Sequence, residues 1–172
     1  MRQPNRDETT ALRLQVGGST RRELRAALRS NDVMLNAYAE TLLDHPVFDL
    51  REPEVVRIVE CSVAELELSV GATLPEVFSA AREHGLELTP PDTGPYLRLA
   101  LASQANAPDS VLSAGRSPAG ALKVASAPLT VDPSFPKGFY LRVVDGTPWL
   151  RGFRCDDEYR FSPDDRFAFQ LP

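Results

Sequence analysis

Gly94-Pro95-Tyr96-Leu97-Arg98-Leu99 and Gly138-Phe139-Tyr140-Leu141-Arg142-Val143 run through the same residue types: glycine, a variable position, Tyr-Leu-Arg, then an aliphatic. Trp149-Leu150-Arg151 repeats the chemistry a third time. Arginine offers a planar fork of donors that matches carboxylate and phosphate, while Tyr and Trp offer rigid, amphipathic contact surface. Together these types recognise anions. In an extended chain successive side chains face opposite ways. Leu97, Leu99 and Leu101 would then share one face, and Tyr96 and Arg98 the other. Phe139, Leu141 and Val143 would likewise oppose Tyr140 and Arg142.

Asp145-Gly146 is a preferred dipeptide for a two-residue hairpin turn. That turn pairs Val144 with Thr147, Arg142 with Trp149 and Tyr140 with Arg151. One face then carries Phe139, Leu141, Val143 and Leu150, an apolar core surface. The other carries Tyr140, Arg142, Trp149 and Arg151, each arginine opposite an aromatic ring, an arrangement worth about 0.5–1 kcal/mol when exposed. Two readings of this face stand side by side. The arginine stems can sheathe a solvent face beside their aromatic neighbours, or the face can be a recognition surface.

On the second reading the ligand- or partner-binding residues are Tyr96, Arg98, Lys137, Tyr140, Arg142, Trp149 and Arg151, and the partner is an anionic small molecule or an acidic protein surface. Arg98 joins only if its segment lies in the same sheet. An enzymatic alternative uses the same cations and Lys137 to clamp a phosphorylated or carboxylated substrate, with Asp156 or Glu158 as base. A structural or assembly role is a third possibility.

Other motifs carry less. Gly17-Gly18-Ser19-Thr20 opens a helix, where free amides attract anions. It lacks the spacing and the lysine of a phosphate-binding loop, and helix capping is the simpler account. His45 and His84 are isolated and end helices, and no Cys-x-x-Cys or His-x-x-x-His spacing exists, so neither metal nor cofactor is implied. Asp156-Asp157-Glu158 and Asp164-Asp165 match no calcium loop, and Ser162-Pro163-Asp164-Asp165 reads as a turn. Gly115-Arg116-Ser117-Pro118 lacks the second glycine of a nucleophile elbow. Cys61 and Cys155, the two cysteines, read as structural thiols of a reduced protein.

The elements that position these residues follow from periodicity and caps. Residues 1–9 read as a flexible tail and 10–172 as a single α+β domain, helix-rich over 10–85 and strand-rich over 86–172. Leu12, Leu14 and Val16 alternate as a strand. Thr20 with Glu23, Ser62 with Glu65 and Thr73 with Glu76 have capping-box spacing. The first predicts a helix to about Ser30, the second a single turn, and the third a helix ended by Gly85. Met34–Asp44 reads as another helix, stopped before Pro46. Strands are expected over Val55–Cys61, Tyr96–Ala102, Ala121–Ser126, Phe139–Val144, Trp149–Arg154 and Arg166–Leu171, with a long loop over Ser103–Pro118. N-terminal helices would pack on one face of a mainly antiparallel sheet built largely by the C-terminal half.

At 172 residues, with 42% apolar and 25% charged residues, the chain can bury an ordinary core. No run approaches a membrane span, and Met1 to Thr10 has no apolar stretch of the kind a signal peptide needs, which makes the cytoplasm the expected location. A net charge of −5 argues against general nucleic-acid binding. So does the pair of helices before Pro46, whose second member exposes Asn36, Glu40, Thr41 and Asp44 and has no Lys or Arg to meet phosphate.

Leu35-Asn36-Ala37-Tyr38-Ala39, Gly71-Ala72-Thr73, Gly94 to Leu99, Ala125 to Leu129, Phe135 to Arg142, Trp149 to Gly152 and Ser162 to Phe167 together resemble a family of uncharacterised bacterial proteins. Some of these are nominally labelled helicases. The resemblance covers about Arg21 to the C-terminus and implies one intact domain. It brings no activity or catalytic residue, and a cysteine of the family pattern is replaced by Thr89. A helicase reading conflicts with the missing phosphate-binding loop.

Overall fold

Three reciprocal caps set where helical turns begin. Strand β1 (Leu12–Val16) ends at Gly17 and Gly18, both with positive φ, and Thr20 then caps helix α1 (Arg21–Ser30). Its hydroxyl accepts from the Glu23 amide while the Glu23 carboxylate accepts from the Thr20 amide, satisfying two of the otherwise orphaned donors. Thr73 and Glu76 do the same for α4 (Leu74–Glu83). Ser62 and Glu65 do it for the single 3-10 turn Ala64–Leu66. Gly85, at φ +75°, ends α4 as its position predicts. The computed structural model describes residues 11–102 and 120–172, so the expected N-terminal tail and the expected loop Ser103–Pro118 lie outside the described residues.

Two expected elements differ. The helix expected over Met34–Asp44 is shorter, because Met34–Leu35 forms strand β2, parallel to Trp149–Leu150. Asn36 decides where strand gives way to helix. Its Oδ1 accepts from the Ala39 amide, capping α2 (Ala37–Leu43), and from the Gly152 amide at 2.9 Å, while its Nδ2 donates to the Gly152 carbonyl at 3.1 Å. One side chain thus stands in for the next residue of a strand. A short helix α3 (Val47–Leu50) follows Pro46.

The second difference bears on function. The segment expected as strand Tyr96–Ala102 is helix α5 (Thr93–Ala102). Pro95 falls in the first turn, where an amide is not needed, and Leu97, Leu99, Ala100, Leu101 and Ala102 are good helix formers. The Tyr-Leu-Arg echo therefore takes two conformations in one chain.

The remaining strands are β3 (Glu54–Ser62), β4 (Ala72–Thr73), β5 (Leu122–Val124), β6 (Gly138–Val144), β7 (Thr147–Phe153), β8 (Arg160–Phe161) and β9 (Arg166–Leu171). Seven of the described strands form one sheet in the order β1-β3-β9-β5-β6-β7-β2, antiparallel except at β9-β5 and β7-β2. β4 and β8 form a separate antiparallel pair. The fold is α+β with a mainly antiparallel sheet, as the order of elements implies, and helices occupy both faces. On the first, Leu24, Leu28, Leu42, Phe48 and Leu97 from α1, α2, α3 and α5 bury Val56, Ile58, Leu122, Phe139, Leu141 and Leu150. On the second, Val77, Phe78 and Ala81 of α4 cover Val59, Cys61, Phe167 and Phe169. No described helix is long and apolar enough to cross a membrane.

Two glycines let helices approach the sheet. A Cβ on Gly152 would lie 2.7 Å from the Tyr38 backbone in α2, and one on Gly94 would lie 2.6 Å from the Phe139 ring. Gly152→Ala is expected to destabilise the fold by about 1–3 kcal/mol, since backbone cannot yield as a side chain can. Gly85→Ala, with nothing within 4 Å, meets only the left-handed strain, about 1 kcal/mol. Asn36→Ala loses a cap and an edge contact together and is expected to cost about 1–2 kcal/mol. Urea midpoints of the three variants check the order.

Candidate functional site

Asp145 and Gly146 both have positive φ, +50° and +76°, the signature of the two-residue turn whose twist matches its strands. The register is the expected one: Val144 pairs with Thr147, Arg142 with Trp149 and Tyr140 with Arg151. Phe139, Leu141 and Leu150 are buried on the first face, while Val143 near the turn is exposed. Tyr140, Arg142, Trp149 and Arg151 are half-buried side by side on the second.

The aromatic contact is along a strand rather than across it. The Arg151 guanidinium carbon lies 4.3 Å from the Trp149 ring centroid, so the indole orients that fork two residues on. Tyr140 leans instead on Phe153, with centroids 6.4 Å apart.

Arg21, Arg25, Arg51, Arg160 and Arg166 each pair with a carboxylate. Among the described residues Arg142 and Arg151 do not, and the Nε of each is covered by its neighbours without an acceptor. Exposed arginines such as Arg22, Arg29 and Arg82 also stand apart from the described carboxylates, but on this face the two arginines are half-buried and still unpaired. Lys123 is carried onto the same face opposite Tyr140, but its ammonium sits 3.1 Å from Asp165 and over the Phe161 ring, so it is already neutralised. Lys137, half-buried before β6, donates its backbone amide to the Phe153 carbonyl. Burial pushes the Cys155 thiol up, an effect the Lys137 charge only partly counters, which keeps that sulfur a thiol.

Tyr96 and Arg98 do not belong to this surface. Both ride on α5, against the first face. The Tyr96 hydroxyl accepts from the Ser19 amide at 3.0 Å and fastens α5 to the turn after β1. Arg98 is 3% exposed, its Nε has no acceptor among the described residues, and its one described polar contact is a 3.5 Å approach to the Trp149 carbonyl. Burial alone lowers its pKa to about 10. Leu-Arg-Leu-Ala alternation suits strand and helix alike, which is why extended geometry misplaced it.

Met34 is the residue that spacing could not supply. β2 sets it beside Trp149 on the second face, and two residues are too short a strand to leave a periodic signal.

The other candidates resolve as structural. The first amides of α1 are taken: Ser19 by the Tyr96 hydroxyl, Thr20 by Glu23 and Arg21 by Asp49. No anion cradle remains there. Asp156 Oδ1 accepts from the amides of Glu158 and Tyr159, holding a turn, and Asp165 does so for Ser162. His84 Nδ1 lies 2.8 Å from the Ala80 carbonyl at its helix end, and the His45 Nδ1 accepts from the Val47 amide. Cys61 and Cys155 are not joined in a disulfide, and the described residues contain no metal-binding cluster.

A charge buried without a counter-ion is a net cost, and none pairs with Arg98 among the described residues, so Arg98→Met should leave the fold as stable or stabilise it by about 1–3 kcal/mol. Below about pH 10 the guanidinium is charged in both folded and unfolded chains and the cost is present in full. Above that the folded chain releases its proton first and the cost is relieved. The gap between Arg98→Met and wild type in chemical denaturation should therefore narrow as pH rises past about 10. Comparison of the chain with family models, with curated proteins and with solved structures gives no match.

Proposed function

We propose that this protein is a non-enzymatic binding domain that holds an anionic ligand or an acidic protein partner on the second face of the β6–β7 hairpin. One observation carries the reading. Arg142 and Arg151 stand on one face of the hairpin, Arg151 over the Trp149 ring, with no carboxylate among the described residues to neutralise them. Five arginines elsewhere find carboxylates, others such as Arg22, Arg29 and Arg82 are exposed to water, and Arg98 lies on the other face, so among the described residues two covered and unpaired guanidiniums side by side are particular to this hairpin. Guanidiniums left unneutralised beside aromatic surface suit recognition of carboxylate or phosphate. The enzymatic alternative, with Asp156 or Glu158 as base, gains no comparable support: Asp156 Oδ1 is engaged by the Glu158 and Tyr159 amides, and no described contact joins either carboxylate to Arg142 or Arg151.

Trp149 is the single tryptophan, so its fluorescence reports this face directly. Titration with citrate and with poly-L-glutamate is expected to shift its emission saturably, and the response should weaken as salt rises. Arg142→Ala/Arg151→Ala should flatten both titrations while leaving the thermal midpoint within a few degrees of wild type, as the side chains are half-exposed. A double variant that responds like the wild type would refute the assignment.

A further inference from the structure

The second face is covered unevenly. α4, with Phe161, Phe167 and Phe169, closes it over β3 and β9. The helices that pack on β6 and β7 approach from the first face, α2 at Gly152 and α5 at Phe139. At the β6–β7–β2 end the second face therefore presents Tyr140, Arg142, Trp149, Arg151 and Met34, with no described helix over them.

Two properties of this end select what fits it. Among the described residues the arginines have no carboxylate partner, and Met34, 48% exposed, lies beside Trp149 on the neighbouring strand and adds apolar surface to its ring. A small anion would neutralise the guanidiniums yet leave thioether and indole in water. An ion pair so exposed contributes only about 0–1 kcal/mol. A wholly apolar segment would cover Met34 and Trp149 but strip water from two charges, at a cost of several kcal/mol per ion. A chain carrying both carboxylates and apolar side chains avoids both penalties, because its apolar groups exclude water and so strengthen the ion pairs. The unbranched methionine can adapt to varied apolar shapes.

From this charge and surface complementarity we infer that the β6–β7–β2 end docks an acidic amphipathic polypeptide segment of a partner protein. Its carboxylates sit on Arg142 and Arg151, and its apolar side chains on Met34 and Trp149. The inference rests on the anion-binding reading of the same face and narrows it from anions at large to one kind of chain.

The test uses the full-length protein and the emission of Trp149. The probe is a synthetic peptide in which Leu and Glu recur at helical spacing. The controls are the same peptide with Glu replaced by Gln, the same with Leu replaced by Ser, and citrate. The parent peptide is expected to bind, and each altered peptide to bind about tenfold more weakly or worse. Met34→Ser, at an exposed position, should weaken the parent peptide severalfold and by clearly more than it weakens citrate, with near-UV circular dichroism confirming the fold. If the Leu-to-Ser peptide binds as tightly as the parent, or Met34→Ser changes nothing, the amphipathic partner is wrong and the general anion site survives. If the Glu-to-Gln peptide binds as tightly, or Arg142→Ala/Arg151→Ala responds to every probe like wild type, both readings fall.

Discussion

Register in the β6–β7 hairpin is the constraint on which the rest depends. A slip of either strand by one residue would turn all its side chains to the other face, sending Phe139 and Leu141 of β6, or Leu150 of β7, into water and that strand's arginine into the core. The left-handed backbone at Asp145 and Gly146 fixes that register at one end of the hairpin. Gly152 fixes it at the other, because its missing side chain lets the backbone of α2 lie close against the strand. Asn36 joins the two requirements, capping α2 with the same amide group that pairs with Gly152. Helix start, strand edge and hairpin register are set together.

Guanidinium groups lie on both sides of this hairpin, and their surroundings differ. Arg98 comes from α5 on the first face, buried, its charge opposed by the low-polarity interior. Arg142 and Arg151 project from the second face, half-exposed, one of them over an indole. The first arrangement is a cost to the fold. The second leaves cations where a partner can reach them, which is why the proposed recognition surface is confined to the hairpin and excludes the third arginine.

The sheet is unevenly clothed for a related reason. α4 lies over β3 and β9, where Phe167, Phe169 and Cys61 give it an apolar floor. Over β6 and β7 the corresponding positions are Tyr140, Arg142, Trp149 and Arg151, which no apolar helix could cover without desolvating charge. Lys123 marks the boundary: it is cationic, but Asp165 and two phenylalanine rings bring it into the covered part.

Much of this was legible in residue order. Capping boxes, the Asp-Gly turn, the alternation of β6 and β7 and the α+β class are local properties, since each depends on side chains a few positions apart. Tertiary contact decided the rest. The same Gly-x-Tyr-Leu-Arg words became helix at α5, where Leu and Ala follow and Phe139 packs on Gly94, and strand at β6, where Val143, Val144 and Asp-Gly follow. Met34 reached the candidate site only through pairing with a strand more than a hundred residues away in sequence. Short-range pattern carries no record of such a pairing, because the free energy that selects it comes from a core assembled by the whole chain.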